Sequence, residues 1–321
     1  LLEFDVNRNA TRPREAATVA VVRDGARGVE VFCVRRHAKS AFLGGALVFP
    51  GGKVDATDQD PRWLDQTTTV DPRSALFATD PLHALAFAVA ACRETLEEGL
   101  ILPTRPALQD DALGDLLREA RTEGFLEVLA RRGIVLDVER LVPFARWITP
   151  EAESRRFDAR FYLLALPEGQ TGKHDEHETT MSMWARPEDV LDAAADGRFF
   201  LAPPTSRTLE LLANERDVHG AFRRAARQSL LPVCPEFVAG DPPFIALPGD
   251  MAHSIREKRV DGPTRYVVRD GRLVGEDAPG DGKGFASTQV PEVSTSLDTR
   301  NGVELKDDQS VVGKGPQVSE K

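Results

Sequence analysis

Arg93-Glu94-Thr95-Leu96-Glu97-Glu98, preceded at a distance by Phe49-Pro50-Gly51-Gly52-Lys53-Val54, is the stretch on which the reading of this chain turns. In a helix each residue advances about 100°, so carboxylates at i, i+3 and i+4 project from one arc. Like charges held that close repel, and Arg93 can answer only part of the cluster, so a divalent ion held by oxygen ligands is the natural candidate. A Glu-rich helix carrying an Arg four residues from a Glu is also the pattern of a solvated, salt-bridged face. The preceding segment, His83-Ala-Leu-Ala-Phe-Ala-Val-Ala-Ala-Cys92, is almost wholly apolar, which predicts a helix buried on much of its circumference. A triple carboxylate at the end of a buried helix is a functional candidate.

Working outward, Asp80-Pro81 reads as N-cap and first helical residue, and Gly99 with Pro103 close behind ends the helix. Ala17 to Val22 and Val29 to Val34 are β-branched runs joined by a turn, and Ala46 to Phe49 is a third short strand leading into Pro50-Gly51-Gly52. Asp55 to Asp80, rich in Asp, Thr and Pro, reads as an inserted surface loop with at most one helical turn near Pro61 to Leu64. Ala112 to Arg132 is an accessory helical pair interrupted near Gly124. Strands are expected over Arg140 to Thr149 and Asp158 to Leu166, and His174 to Thr180 reads as a polar bend ahead of Met181 to Trp184. Helices are expected from Pro187 and over Pro204 to Asn214. Beyond Pro235 the texture turns Pro- and Gly-rich, with a hairpin over 264–275 turning at Asp270-Gly271. One domain over 1–277 is expected, with accessory helices in 108–132, and 278–321 reads as a disordered tail.

Composition narrows the function. The 321 residues are 41% hydrophobic and 29% charged with a net charge of −10, which disfavours a protein that coats nucleic acid or an anionic membrane. Local pairs such as Arg35-Arg36 and Arg155-Arg156 could still hold a phosphate. Three widely spaced cysteines, Cys33, Cys92 and Cys234, suggest reduced core residues rather than a zinc or redox pair. No run approaches the roughly 20 apolar residues of a membrane span, and a cytoplasmic location is expected.

Pro50-Gly51-Gly52 followed by Arg93-Glu94-Thr95-Leu96-Glu97-Glu98 resembles the Nudix box, G-x5-E-x7-R-E-U-x-E-E-x-G-U with U bulky and apolar. The resemblance extends over about residues 15 to 230. Gly52 and Arg93 lie 41 positions apart where the pattern has 14, an insertion of about 27 residues. Counted back from Arg93, the first Glu of the box falls on Leu85, so that carboxylate is expected to be missing. Thr95 stands at the bulky apolar position, and Gly99-Leu100 replaces the expected x-Gly. With Val48 to Asp55, Trp147-Ile-Thr-Pro150 and Arg155-Arg-Phe-Asp-Ala-Arg-Phe161, the split box is similar to the coenzyme A diphosphatase branch of the superfamily (nudix motif 19-like).

The resemblance implies an α/β (α+β) fold: a Nudix-type α/β/α sandwich with a mixed β-sheet and accessory helices. It implies hydrolysis of the diphosphate bond of CoA or acyl-CoA to adenosine 3′,5′-bisphosphate and a phosphopantetheine product. Mg2+, or Mn2+ in its place, would be held by Glu94, Glu97, Glu98 and the Gly51 carbonyl, with Arg93 orienting the carboxylates. Glu178, six residues before Trp184, is the favoured general base and Glu176 its rival. Arg35, Arg36, Arg155 and Arg156 are candidate substrate contacts, and Phe42, Trp147 and Trp184 either stack on adenine or pack the core. ADP-ribose or another nucleoside diphosphate derivative is the nearest alternative substrate, and a non-catalytic nucleotide sensor or an interaction protein are the alternatives of another class. A homodimer is compatible with all of these.

Overall fold

The computed structural model describes residues 11–37, 43–174, 179–269 and 272–279. Its strands are β1 (Arg14–Gly25), β2 (Gly28–Arg36), β3 (Leu47–Val48), β4 (Gly51–Lys53), β5 (Thr104–Arg105), β6 (Val135–Leu136), β7 (Val142–Ile148), β8 (Phe157–Ala165), β9 (Thr179–Ala185), β10 (Glu236–Val238), β11 (Phe244–Ala246), β12 (Arg265–Arg269) and β13 (Arg272–Glu276). Its α-helices are α1 (Trp63–Gln66), α2 (Pro81–Gly99), α3 (Asp110–Glu123), α4 (Phe125–Arg132), α5 (Pro187–Ala195), α6 (Pro203–Leu212) and α7 (Val218–Arg227).

The central sheet runs β3-β2-β1-β8-β7, with β4 also paired to β1 and β9 to β2. The β1–β8 pair is parallel and the remaining pairs are antiparallel, so the sheet is mixed. Successive strand residues face opposite sides. Ala17, Val19, Val21, Phe32, Val34, Tyr162 and Leu164 accordingly enter one core with α2, α3 and α4. Ala20, Val22, Val31, Cys33, Phe161 and Leu163 enter the other with α5, α6 and α7. A sheet covered on both faces reads as near-continuous apolar runs, which is why β1, β2 and β8 were legible. The result is the expected α/β/α sandwich.

The long helix runs as the sequence predicts. Asp80 accepts a hydrogen bond from the His83 amide (2.9 Å), Pro81 opens the first turn, and Leu100, left-handed with φ 49°, ends it. The helical pair breaks at Gly124, whose φ of 103° suits glycine. Strands β12 and β13 form the expected hairpin, but residues 270 and 271 at its turn lie outside the described residues. So do residues 280–321 of the anticipated tail; Ala278, placed in that tail by the sequence, is buried and donates to Thr264 Oγ1.

The insertion is the main correction. It is not a surface loop with one helical turn but three short helical turns, Ala56–Gln59 and Pro72–Leu76 in 3-10 form and α1 between them. Two aromatics anchor it. Trp63 is 1% exposed and donates Nε1–H to the Thr57 carbonyl, and Phe77, also 1% exposed, meets Tyr162 edge-on. The Phe77 carbonyl receives two bonds from the buried Arg160 guanidinium, and Arg73 donates to the carbonyls of Ala225 and Gln228. Sequence reading also missed α7 and the pairing of β10 and β11 onto the C-terminal hairpin.

Candidate active site

The site is assembled where β4 and the last two turns of α2 meet. Antiparallel pairing of β4 with β1 sets Gly51 opposite Thr18 and Gly52 opposite Ala17, and the Pro50 carbonyl accepts from Val19 N–H. The glycines are required by close approach: a Cβ at Gly51 would strike the Ala17 carbonyl and the Thr18 backbone, and one at Gly52 would strike the Glu94 carboxylate. From the helix side, Glu98 reaches back to accept the Gly51 N–H at 3.0 Å. Glu94 and Glu98 therefore close on the two glycines of β4, while Glu97, one helical turn from Glu94, has a side chain 40% exposed.

Arg93 ties this arrangement together. A guanidinium has five N–H donors, and here all five are used. Nε and Nη2 make a forked pair with Asp58 at 3.0 and 2.9 Å, Nη2 also donates to the Lys53 carbonyl, and Nη1 donates to Glu94 and Glu97. Burial alone would pull the Arg93 guanidinium down, yet the Asp58 bonds and the charges of Glu94 and Glu97 hold it well above its ordinary value. Its charge is permanent, so a fixed cation stands beside the two helix carboxylates it orients.

Asp58 is the residue that sequence reading missed, and it overturns the expected loss of a carboxylate at Leu85. Counted forward from Gly52, the sixth residue is Asp58, the place of the first Glu in the G-x5-E pattern. The 27 extra residues therefore follow that position. Leu85 is an ordinary core residue of α2. Asp58 is 2% exposed, and its Oδ2 also accepts from Asp55 N–H at 2.8 Å, closing a capping box. That Asp55-x-x-Asp58 signature was the available signal. Thr95, at the bulky apolar position, is fully buried because its hydroxyl bonds back to the Ala91 carbonyl.

The other candidates divide. Arg36 lies beside the cluster, Nη1 to Glu98 Oε1 3.8 Å, and its Nε is buried with no hydrogen-bond partner. Arg35 donates to the Gly45 carbonyl from an exposed position and lies over Phe199. Arg155 is exposed. Arg156, just before β8, is buried, and it donates to the carbonyls of Thr149 and Thr11. Trp147 packs in the second core, and Trp184 donates to the Thr171 carbonyl beneath the Arg23 guanidinium. Glu178, Glu176 and Phe42 lie outside the described residues. The three cysteines are free, and burial pushes the Cys33 thiol up to about 12.

A hard divalent ion is the cofactor that this donor set fits by chemistry: three carboxylates on one helical arc, two of them against the glycines of β4. As they stand, no three His, Cys, Asp or Glu side chains among the described residues converge on a metal position.

The sequence profile of the NUDT19 Nudix domain matches residues 10–212. This chain belongs to the Nudix hydrolase family. Within it, the chain is 29% identical over 298 residues to the acyl-coenzyme A diphosphatase NUDT19 of Gallus gallus, covering 75% of this chain and 78% of that one. It is 26% identical to the Homo sapiens protein of the same name, covering 64% of this chain and 65% of that one. Among solved structures, a Nudix hydrolase from Alicyclobacillus acidocaldarius superposes with a TM-score of 0.55 at 28% identity, over 66% of this chain and 96% of its own. The split Nudix box, with its insertion after Asp58, is thus a feature of a Nudix hydrolase.

Proposed function

We propose that this Nudix hydrolase cleaves the diphosphate linkage of CoA or acyl-CoA with water, giving adenosine 3′,5′-bisphosphate and a phosphopantetheine product. The observation that carries the proposal is the clasp of Glu98 and Glu94 on Gly51 and Gly52 of β4, braced by a fully bonded Arg93, in a chain whose relatives include enzymes named acyl-coenzyme A diphosphatases.

Glu94, Glu97, Glu98 and the Gly51 carbonyl would hold a divalent cation, with Mg2+ preferred and Mn2+ an alternative. When bound, such an ion neutralises diphosphate oxygens and lowers the pKa of the attacking water. The chain's own residues do the rest. Arg93 orients Glu94 and Glu97 through charge-assisted bonds, and Asp58 fixes Arg93 in turn. Arg36, whose Nη1 lies 3.8 Å from Glu98, would donate to a phosphate oxygen. Glu178 is the proposed base for the water proton; its chain neighbour Thr179 pairs with Arg36 in the sheet. A cytoplasmic location belongs to the same proposal and rests on three cysteines that stay unpaired.

The test is incubation with Mg2+ and separately with CoA, acetyl-CoA, NADH and ADP-ribose, with Glu98→Gln as control and products identified by mass. Release of adenosine 3′,5′-bisphosphate from CoA supports the proposal. Cleavage of ADP-ribose but not CoA moves the activity to another nucleoside diphosphate derivative, and no turnover of any diphosphate sinks the enzymatic role.

A further inference from the structure

A cleft of about 230 Å3 opens beside the catalytic helix, between the insertion and the accessory helices α3 and α4. Arg93 and Glu97 belong both to this cleft and to the carboxylate cluster, so the two are continuous. Its floor is apolar, built from Trp63 of the insertion, Leu96 of α2, Leu117 of α3, and Phe125 and Leu126 of α4. Trp63 and Phe125 are themselves packed ring against ring at 5.5 Å. We propose that this cleft holds the pantetheine arm of the substrate and the start of its acyl chain, which makes the insertion a determinant of acyl preference. The inference rests on the CoA diphosphatase reading given above.

Size and charge select the arm. Ligand clefts that bury a whole drug-sized molecule run to roughly 300–1,000 Å3, so this one has room for one end of CoA and not for all of it. The lining carries three arginines, Arg62, Arg93 and Arg121, against four carboxylates, Asp58, Asp60, Glu97 and Glu127. Arg62 donates to both Asp60 and Glu127, and Arg93 is matched by Asp58 and the helix glutamates. A 3′-phosphoadenosine end would call for cations in excess of carboxylates. The pantetheine end is uncharged, carries amides for a polar rim, and finishes in a thiol or an apolar acyl chain that suits the floor. The diphosphate at the cluster then lies between the two ends, with the nucleotide leaving on the side of Arg36, outside the cleft.

The discriminating experiment uses the full chain and reads the ratio of kcat/KM for dodecanoyl-CoA to that for free CoA. Ala120→Trp puts an indole into the cleft from α3 and should lower that ratio by about tenfold or more, the scale at which a hydrophobic pocket discriminates chain length. Phe125→Ala enlarges the cleft and should shift the preferred acyl length upward. Leu64→Trp, on the exposed side of α1 at a residue 60% exposed, should leave the ratio unchanged. Thermal melts verify that each variant is folded. An acyl-length profile identical to wild type in both Ala120→Trp and Phe125→Ala overturns the cleft assignment while leaving CoA hydrolysis intact. A wild-type protein that cleaves neither CoA nor its thioesters overturns the CoA reading and the cleft assignment together.

Discussion

Arg93 spends four of its five hydrogen bonds on carboxylate oxygens, two of them on Asp58, and this makes Asp58 the hinge between loop and helix. Removing one partner of a buried ion pair leaves the other uncompensated, typically at a cost of about 3–5 kcal/mol. Asp58→Ala should therefore lower unfolding stability by about that much in urea denaturation; a loss below about 1 kcal/mol would show that Lys53 and the helix glutamates suffice. Glu98→Gln should behave in the opposite way. The amide oxygen can still accept the Gly51 N–H, so the melting temperature should hold within a few degrees. Diphosphatase turnover should drop on the order of 100-fold or more, the loss seen when one electrostatic contact to a reacting group is removed. The right half of the Nudix box was legible because its carboxylate spacing is fixed by helix geometry. Asp58 was not, because an insertion hides its own position: counting from Arg93 lands on Leu85, counting from Gly52 lands on Asp58, and only the ion pair decides.

At the scale of elements, near-continuous apolar runs exposed β1, β2 and β8, and cap chemistry fixed both ends of α2. The insertion misled because its composition is polar while its anchors are few and large. Trp63 and Phe77 do the burying, and Arg160 and Arg73 reach in to satisfy its carbonyls. Helix α7 escaped notice since four arginines within or beside it mask the small apolar face formed by Ala221 and Ala225. Docking of the insertion has a direct test. Trp63→Ala should cost about 3–5 kcal/mol, the range for large aromatics in a core, while Leu64→Ala, next in sequence and largely exposed, should stay within about 0.5 kcal/mol. Equal small effects from both would return the segment to a loose surface loop.

For the whole molecule the decisive quantity is the coupling between metal and fold. Glu94 and Glu97 accept from Arg93, while Glu98 accepts the Gly51 N–H and lies 3.8 Å from the Arg36 guanidinium. An ion held by these carboxylates would compete with those bonds. Because such an ion would bind the folded chain and find no such arrangement in the unfolded one, stability should rise as RT ln(1 + [L]/Kd), about 2.7 kcal/mol at a hundredfold excess over Kd. For a chain of this size that corresponds to a rise of about 5–10 °C in melting temperature. Mg2+ titration followed by differential scanning calorimetry should show a shift that grows logarithmically with concentration. It should shrink in Glu94→Gln, where a metal ligand loses its charge but the fold keeps its Arg93–Asp58 brace. A melting temperature indifferent to Mg2+ and Mn2+ in the wild type would mean that the carboxylates do not converge on an ion. Arg93 would then be the cation that the Glu94–Glu97–Glu98 arc was built around, and the helix face a structural one.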